Sequence, residues 1–250
     1  MIEHVLTSST LYGKGVFTTI AICRGQPFIW KKHWRRLTQN ASRLGIDLTE
    51  YPEEQTLRAL QDAISETGIA NGRARITFSD ESQSLIWSQS TVKKTGLSII
   101  IAERRTVASS FRLSTSPHRV NTTSPLIGIK SCNYLEHLLA FDETKARGFH
   151  EAVRRNERGE IASACMANVF WTKDGKLFTP SLKTGCLAGT TREYILENLD
   201  CEEVETGVGD LGSADSIFVT SAGMGAIAVS EFEGRQLDTS EHPLLRLLPF

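Results

Sequence analysis

The stretch GIKSCNYLEHLLAFDETKARGF, residues 128–149, decides how the rest of the chain is interpreted. Lys130 ends the apolar run SPLIGIK and precedes a helical pattern whose shared face carries Leu135, Leu138, Leu139 and Ala146. The pattern predicts that this lysine lies where a strand meets a helix and points inward. Burial lowers the pKa of an ammonium, and a neutral amine can attack a carbonyl to form a Schiff base. A salt-bridged or partly solvated lysine at a strand end is the alternative that this segment leaves open.

The composition is that of an ordinary globular protein, and it excludes several classes of function. The 250 residues suit one large domain or two small ones, and the net charge of −1 gives no indication of a nucleic-acid or membrane partner. The apolar runs are too short to span a bilayer, and the first ten residues lack the apolar core of a signal peptide. The 5 cysteines have no CxxC spacing, which predicts reduced thiols and a cytoplasmic protein. The 6 histidines have no paired ligand spacing, so no metal site is expected.

The order of strand and helix patterns predicts two mixed α/β domains. In the first half, strands are expected at 16–23, 26–30, 72–79 and 96–105, and helices at 31–46 and 53–69. In the second half, strands are expected at 150–155, 161–172, 176–180 and 216–222, and helices at 133–148 and 191–199. The Ser/Thr-rich segment TVASSFRLSTSP is the best candidate for a connection. We therefore expect domains at 1–108 and 118–250, with a linker at 109–117.

Two polar motifs could bind an anion, and each also has an ordinary structural explanation. In GTTRE, residues 189–193, Thr190 and Glu193 fit the N-cap and N3 positions of a capping box. The same helix start offers N–H groups, hydroxyls and a positive dipole end to a phosphate. Arg36 in HWRRL lies off the apolar face of its helix, so it is either a solvated arginine or a phosphate ligand.

Two glycine-rich motifs could form either loops or binding sites. In FVTSAGMGAIAV, residues 218–229, the small residues after a strand make either a tight loop or a backbone anion site. The segment GVGDLG, residues 207–212, matches GxGxxG but lies between a helix and a strand, the reverse of the order in a dinucleotide fold. We expect this segment to be a loop.

Six blocks of the chain, in order, resemble the successive blocks of class IV aminotransferases. They are LYGKGVFTT, HWRRL, GIKSCNYLEHLLA, GEIASACMANVF, KDGKLFTPSLKTGCLAGTTRE and DSIFVTSAGMGAIAV, and the resemblance runs from about Tyr12 to Val229. This fold-type IV group uses pyridoxal 5'-phosphate (PLP) and includes branched-chain and D-amino-acid aminotransferases and 4-amino-4-deoxychorismate lyase. The resemblance implies a two-domain mixed α/β fold and a homodimer with PLP in the cleft between the domains. It also implies amino-acid and 2-oxo-acid substrates.

The resemblance also implies roles for individual residues. Lys130 matches the lysine that binds PLP covalently and moves the proton at Cα. Tyr134 matches a tyrosine that contacts the PLP ring oxygen in branched-chain enzymes. The positions that match phosphate-binding residues are Arg36, Thr190, Thr191, Ser221 and Ala222, of which Ala222 lacks the hydroxyl often found there. Tyr12 and Arg75 fall near positions that hold substrate, and an arginine fork suits a carboxylate.

One departure from the family pattern affects the cofactor ring. The family places a glutamate five residues before the asparagine of the block GEIASACMANVF, where it keeps the pyridine nitrogen protonated. Counted back from Asn168, that position is Ser163. Glu160 is three residues away, and residues three apart on a strand point to opposite faces. A serine hydroxyl can donate a hydrogen bond to a neutral pyridine, so this substitution predicts a weaker electron sink.

Three functions follow as hypotheses. The first is a PLP-dependent aminotransferase, which the segments CLAGTTR and Tyr134 favour by resemblance. The second is aminodeoxychorismate lyase, which eliminates pyruvate to give 4-aminobenzoate and which GVFTT, NYLE, ANVFW and Ser163 favour. The third is a PLP-fold binding protein that has lost catalysis, for which Ser163 is the sequence argument and against which Lys130 and the phosphate residues count.

Overall fold

Two units make up the chain, and each has its own sheets and core. The computed structural model describes residues 6–249, except residues 86, 87, 90 and 91. The first unit runs up to Arg104 and also takes in Ile129–Tyr134. The second consists of Arg105–Gly128 and the chain from Leu135 onward. The short segment around Lys130 therefore belongs to the first unit, although the chain on both sides of it belongs to the second.

The first unit is an antiparallel sheet with helices packed on it. Its helices are α1 (Ser8–Tyr12), α2 (Trp30–Arg43) and α3 (Glu53–Thr67). Its strands are β1 (Gly15–Cys23), β2 (Gln26–Pro27), β3 (Gly72–Asp80), β4 (Ser84–Leu85), β5 (Ser88–Gln89) and β6 (Thr95–Glu103). Strands β2, β1, β3 and β6 pair in that order, and β4 pairs with β5.

Alternation along β3 determines which side of this sheet is covered by helices. Ala74, Ile76 and Phe78 are fully buried, while the residues between them are half-buried. The buried helix residues that complete this core are Leu37 and Ala41 of α2 and Leu60 and Ile64 of α3. Because side chains alternate along a strand, Arg75 and Thr77 project from the other side of the sheet.

The second unit contains two larger sheets. Its helices are α4 (Leu135–Ala146), α5 (Thr190–Asn198), α6 (Gly209–Gly212) and α7 (Pro243–Leu247), with a 3₁₀ turn at Leu182–Thr184. Its strands are β7 (Arg112–Thr115), β8 (Glu151–Arg155), β9 (Ile161–Ala164), β10 (Asn168–Lys173), β11 (Lys176–Pro180), β12 (Glu202–Val204), β13 (Ser216–Ser221), β14 (Gly225–Ala228), β15 (Glu231–Phe232) and β16 (Arg235–Gln236). One sheet has the order β12-β11-β10-β13-β14 and the other β16-β15-β7-β8-β9.

The central strands of the first of these sheets are buried on both faces. On one face, Trp171 and Val219 join the main core of the unit. On the other, Phe170 and Phe218 pack against Ile195 of α5. This packing fixes α5 against β13 and so determines where the start of the helix lies. None of the helices among the described residues has both the length and the apolar character to cross a membrane.

The predicted mixed α/β fold is confirmed, but the buried face of α4 is not the one expected. Leu135, Leu138 and Leu139 are 66%, 46% and 55% exposed. The helix instead packs Ala140 and Phe141 in a cluster within the second unit. Periodicity identifies an apolar stripe on a helix, but it does not say whether the stripe meets the core of its own chain.

Other differences from the expected elements lie at connections. The run 124–130 forms turns rather than a strand. The expected strand 161–172 divides into β9 and β10. The two strands are joined by a tight turn in which Ala164 N donates to Ala167 O at 2.9 Å. The expected linker, 109–117, includes β7, because Leu113 and Ser114 are buried and pair in parallel with β8. The segment 207–212, expected as a loop, contains the single turn of α6.

Candidate functional site

Lys130 lies in an extended segment that is hydrogen-bonded to β1. Phe17 N donates to Lys130 O at 3.0 Å, and Cys132 N donates to Gly15 O at 2.8 Å. A Cβ at Gly15 would stand 2.8 Å from Cys132 Sγ, so only glycine lets this segment approach so closely. The lysine is therefore held by backbone pairing rather than by its position at the end of a strand.

The side chain of Lys130 is surrounded by aromatic rings. Nζ donates to Tyr134 Oη at 3.2 Å and lies 4.4 Å from the centre of the Phe17 ring. The Phe17 and Tyr134 rings pack edge to face with their centres 5.1 Å apart. Burial, with the nearby charges of Arg36 and Arg75, lowers the pKa of Lys130 to about 7. A substantial fraction of this amine is therefore neutral near pH 7, which is the form that attacks carbonyl carbon.

Both predicted arginines of the first unit lie close enough to Lys130 to affect its charge. The Arg75 guanidinium stacks over the Phe17 ring, with Cζ 3.7 Å from the ring centre, and Arg75 Nε donates to Thr77 Oγ1 at 3.1 Å. Arg36 reaches across from α2, and its Nη2 donates to Thr18 Oγ1 at 2.8 Å. We refer to Phe17, Arg36, Arg75, Lys130 and Tyr134 as the lysine cluster.

A buried histidine holds Arg36 through a threonine. Thr18 Oγ1 lies 2.7 Å from His33 Nδ1 and also accepts from Arg36. Burial lowers the pKa of His33 well below its usual range, and Arg36 and Lys130 lower it further. Thr18 Oγ1 accepts from Arg36 and is free to donate its own proton to Nδ1 when His33 carries its proton on Nε2. No sequence pattern distinguishes Thr18 or His33, and their contacts with Arg36 are what indicate their role.

Tyr12 contacts the lysine segment through its backbone. Asn133 Nδ2 donates to the Tyr12 carbonyl at 2.9 Å, which ties the end of α1 to the residues before α4. The Tyr12 side chain is 38% exposed. Thus the first unit brings together four of the predicted residues, namely Arg36, Arg75, Lys130 and Tyr134, and places the backbone of Tyr12 beside the same segment.

The start of α5 is the second cluster of predicted residues. The N-cap residue is Gly189, so the expected capping box of Thr190 and Glu193 is wrong: Thr190 already has helical geometry and its side chain does not cap the helix. Thr190 and Thr191 are both buried. A Cβ at Gly189 would stand 2.0 Å from Asn168 Oδ1, so the helix start needs glycine to lie against β10. The N-cap residue is a glycine and gives no side-chain hydrogen bond to this first turn, and a helix start with a glycine N-cap suits an anion.

Ser221 and Ala222 lie beside this helix start. Asn168, which contacts Gly189, pairs with Thr220 on β13, and Ser221 ends that strand before the turn to β14. Thr220 Oγ1 is buried and has no hydrogen-bond partner among the described residues. Thr220 was not predicted as a site residue, because a threonine inside a strand gives no signal that its hydroxyl lacks a partner.

Ser163 lies on β9 and is 9% exposed. Its partner across the strand pair is Arg154 on β8. Glu160 is engaged at the turn between these strands, where its carboxylate accepts from Asn156 Nδ2 and from Arg158 Nη2, each at 2.7 Å. The charged residue directly opposite Ser163 is therefore a cation, and no sequence pattern distinguishes it.

A match to a family model includes every predicted residue of these clusters except Tyr12. Residues 15–232 match the model for amino-transferase class IV. The chain belongs to the class IV aminotransferase family. This result agrees with the resemblance of the six sequence blocks.

Relatives within class IV carry different activities. The chain is 29% identical over 235 residues to the aminodeoxychorismate lyase of Bacillus subtilis strain 168, covering 89% of this chain and 79% of the relative. It is 27% identical over 252 residues to a putative branched-chain-amino-acid aminotransferase of Methanocaldococcus jannaschii, covering 95% and 85%. The crystal structure of an aminotransferase from Brucella abortus bound to PLP matches with a TM-score of 0.86 and 21% identity, covering 99% of this chain and 91% of the other. The predicted fold class is thereby confirmed.

Proposed function

We propose that this protein is a PLP-dependent enzyme that transfers an amino group between an amino acid and a 2-oxo acid. The observation that carries the proposal is the Lys130 amine, whose pKa is lowered to about 7 and whose Nζ lies 3.2 Å from Tyr134 Oη. The described residues fit the cofactor in three respects: a reactive amine, the Arg36 cation, and the uncapped helix start at Gly189 where a Cβ would not fit. When bound, PLP supplies an electron sink for charge at the substrate Cα.

The lysine cluster supplies the reactive groups. Lys130 would hold the cofactor through its neutral amine, the form that condenses with a carbonyl carbon with loss of water, and would accept or return the proton at the substrate Cα. Tyr134 Oη accepts a hydrogen bond from Nζ and so orients the amine. Arg75, whose guanidinium stacks on the buried Phe17 ring, is proposed to bind the substrate carboxylate, with Tyr12 as a second substrate contact.

The proposed phosphate ligands divide between a cation and a helix start. Arg36 offers a guanidinium whose orientation is fixed through Thr18. Thr190 and Thr191 offer N–H groups and hydroxyls in the first turn of α5, where the helix dipole favours an anion. We also propose Ser221 and Ala222 as ligands, with Ala222 limited to its backbone N–H.

Aminodeoxychorismate lyase is the second candidate function, and Ser163 favours it. A carboxylate at this position would hold the pyridine nitrogen protonated, whereas serine beside the Arg154 cation would not. A weaker electron sink slows amino transfer more than elimination of a good leaving group. The third hypothesis, a binding protein without catalysis, is disfavoured by the lowered pKa of Lys130.

The experiment that tests this proposal measures both reactions on the PLP-loaded protein. One arm combines a panel of amino donors with 2-oxo acids and follows the new amino acid, while the other supplies aminodeoxychorismate and follows pyruvate and 4-aminobenzoate. Amino transfer that requires an acceptor supports the first function, and pyruvate release without an acceptor supports the second. PLP binding with neither product would contradict both and leave the binding protein.

We further propose a homodimer in a reducing cytoplasm. The exposed leucines 135, 138 and 139 of α4 give an apolar face that a second copy can cover, and the 5 cysteines are free thiols. Light scattering should report twice the 27.7 kDa of one chain. Leu138→Glu with Leu139→Glu should shift the protein toward monomer, whereas Leu182→Glu, at an equally exposed leucine elsewhere, should not. An active wild-type monomer would contradict the dimer.

A further inference from the structure

Arg154 is the most deeply buried arginine side chain of the second unit, and its surroundings are unusual. Its side chain is 1% exposed, although an arginine is rarely buried unless paired. Its ion-pair partner is Glu136 of α4, which is 66% exposed. Solvent therefore screens the carboxylate far more than it screens the guanidinium.

The register of β8 and β9 places this cation beside Ser163. Arg154 and Ser163 are directly opposed in an antiparallel pair, so both side chains emerge on the same face of the sheet. Cross-strand partners have Cβ atoms about 5 Å apart, within reach of a side chain as long as arginine.

The hydrogen bonds of Arg154 fix its guanidinium but leave one edge weakly bound. Nε donates to His118 O at 3.2 Å, and Nη2 donates to Arg119 O at 2.7 Å and to Glu136. Among the described residues, Nη1 has only His137 Nδ1, at 3.5 Å, and that ring nitrogen also lies 2.9 Å from Cys165 O. A proton on Nδ1 would satisfy the Cys165 carbonyl and leave Nη1 without an acceptor.

The carboxylates near this position are already occupied. Glu136 pairs with Arg154, and Glu160 binds Arg158 and Asn156. Glu151, three residues before Arg154, accepts from Cys165 N at 2.9 Å and Met166 N at 3.0 Å. The charged residue directly opposite Ser163 in the strand pair is therefore Arg154, a cation whose carboxylate partner is largely exposed.

We propose that Arg154 fixes a positive charge beside Ser163 and thereby keeps the ring nitrogen of a PLP bound there unprotonated. This inference rests on the proposed function, because it assumes that Ser163 faces the cofactor ring. A cation beside the nitrogen opposes protonation by like-charge repulsion, whereas a carboxylate would favour it. Ser163 and Arg154 then act together. With serine at position 163, no carboxylate lies beside the ring nitrogen, and Arg154 would bind a carboxylate introduced there by substitution.

Because of this pairing, Ser163→Glu alone should not protonate the ring nitrogen. The new carboxylate would lie across the strand pair from Arg154 and bind the guanidinium, because opposite charges in directly opposed positions attract. The ring nitrogen would remain unprotonated until the cation is also removed. Ser163→Glu with Arg154→Met therefore differs from Ser163→Glu in outcome.

The test uses PLP labelled with ¹⁵N in the ring and follows the nitrogen resonance in the bound protein. The wild type and Ser163→Glu should both show the unprotonated resonance, and the double variant should move to the pyridinium position. Ser163→Glu with Arg119→Met, which removes an exposed arginine of the same unit, should behave like Ser163→Glu. Arg154→Lys in the Ser163→Glu background keeps the charge and should also leave the nitrogen unprotonated.

Affinity gives a second readout that does not depend on turnover. The wild-type apoprotein should bind N-methylated PLP, whose ring charge is permanent, roughly tenfold or more weakly than PLP, and the double variant should lose this preference. A protonated nitrogen in the wild type, or in Ser163→Glu with Arg154 intact, would overturn the inference without requiring the Arg154 variant to fold. Bound PLP with a pyridinium refutes this inference alone, whereas failure to bind PLP refutes the proposed function as well.

Discussion

The lysine cluster and the Ser163–Arg154 pair each contain a basic side chain, but the two environments affect its charge in opposite ways. Around Lys130, burial and two arginines lower the pKa to about 7, so the amine can lose its proton. Around Arg154, a fixed guanidinium keeps its charge, which no protein environment easily removes. One region thus produces a nucleophile and the other a permanent cation. The comparison shows that the type of residue matters as well as its environment, because a lysine amine can become a nucleophile where an arginine guanidinium cannot.

The strongest test of this contrast removes the amine. Lys130→Ala should lower turnover by about a thousandfold or more, because no other group of the lysine cluster can form the covalent link to PLP. Borohydride reduction followed by peptide mass spectrometry should place the pyridoxyl group on Lys130 in the parent. The control is Lys183→Ala, at a lysine that is 80% exposed. Label on another lysine with Lys130→Ala fully active would remove Lys130 from the site.

The next largest effect is expected at Arg36. Arg36→Ala should raise the dissociation constant for PLP roughly tenfold or more, the scale of one lost charge-assisted hydrogen bond. Arg35→Ala is a matched control, because Arg35 is its exposed neighbour on the same helix. Titration of the two variant apoproteins with PLP measures the two dissociation constants. Equal affinities would place Arg36 outside the phosphate site and leave Lys130 and Arg75 as the cations of the lysine cluster with a proposed role.

The free energy of unfolding of the apoprotein should depend on the protonation of the Lys130 amine. The folded-state pKa of Lys130 lies near 7, below the usual 10.5, so between these values the unfolded chain binds more protons than the folded one. The free energy of unfolding should therefore rise with pH through this window, by up to about 1.4 kcal/mol per pH unit from this residue. Below pH 7 the contribution stays at its minimum. Lys130→Met should show a flatter profile in urea unfolding at pH 7, 8 and 9, and identical slopes would contradict the lowered pKa.

The smallest effect should come from the buried hydroxyl next to Ser221. Thr220→Val keeps the shape of the side chain and removes an unpartnered polar atom, so it should stabilise the apoprotein by about 1 kcal/mol. If the hydroxyl contacts the phosphate, the same variant should bind PLP several-fold more weakly. Thermal unfolding and PLP titration of one variant give both results. A destabilised apoprotein would show that Thr220 has an acceptor in solution.

The sequence predicted those parts of the site that depend on local pattern. The helix of Arg36, the lysine segment and the helix at Thr190 were all found, because periodicity and turn residues act over short distances. The Thr18–His33 contact and the pairing of Arg154 with Ser163 were missed, since each depends on how distant segments align. The capping box failed for a related reason: Gly189 lies against Asn168, and this packing set the helix start one residue earlier.

The discontinuity of the first unit has a consequence for biosynthesis. During translation, residues up to 104 are synthesised before the segment 129–134 that completes their unit. The hydrogen bond from Phe17 N to Lys130 O closes a loop of more than a hundred residues, so it forms late and slows folding relative to local contacts. Most of the first unit is therefore synthesised before Lys130. A fragment that ends at residue 104 would lack that lysine and leave the β1 backbone groups that pair with its segment exposed.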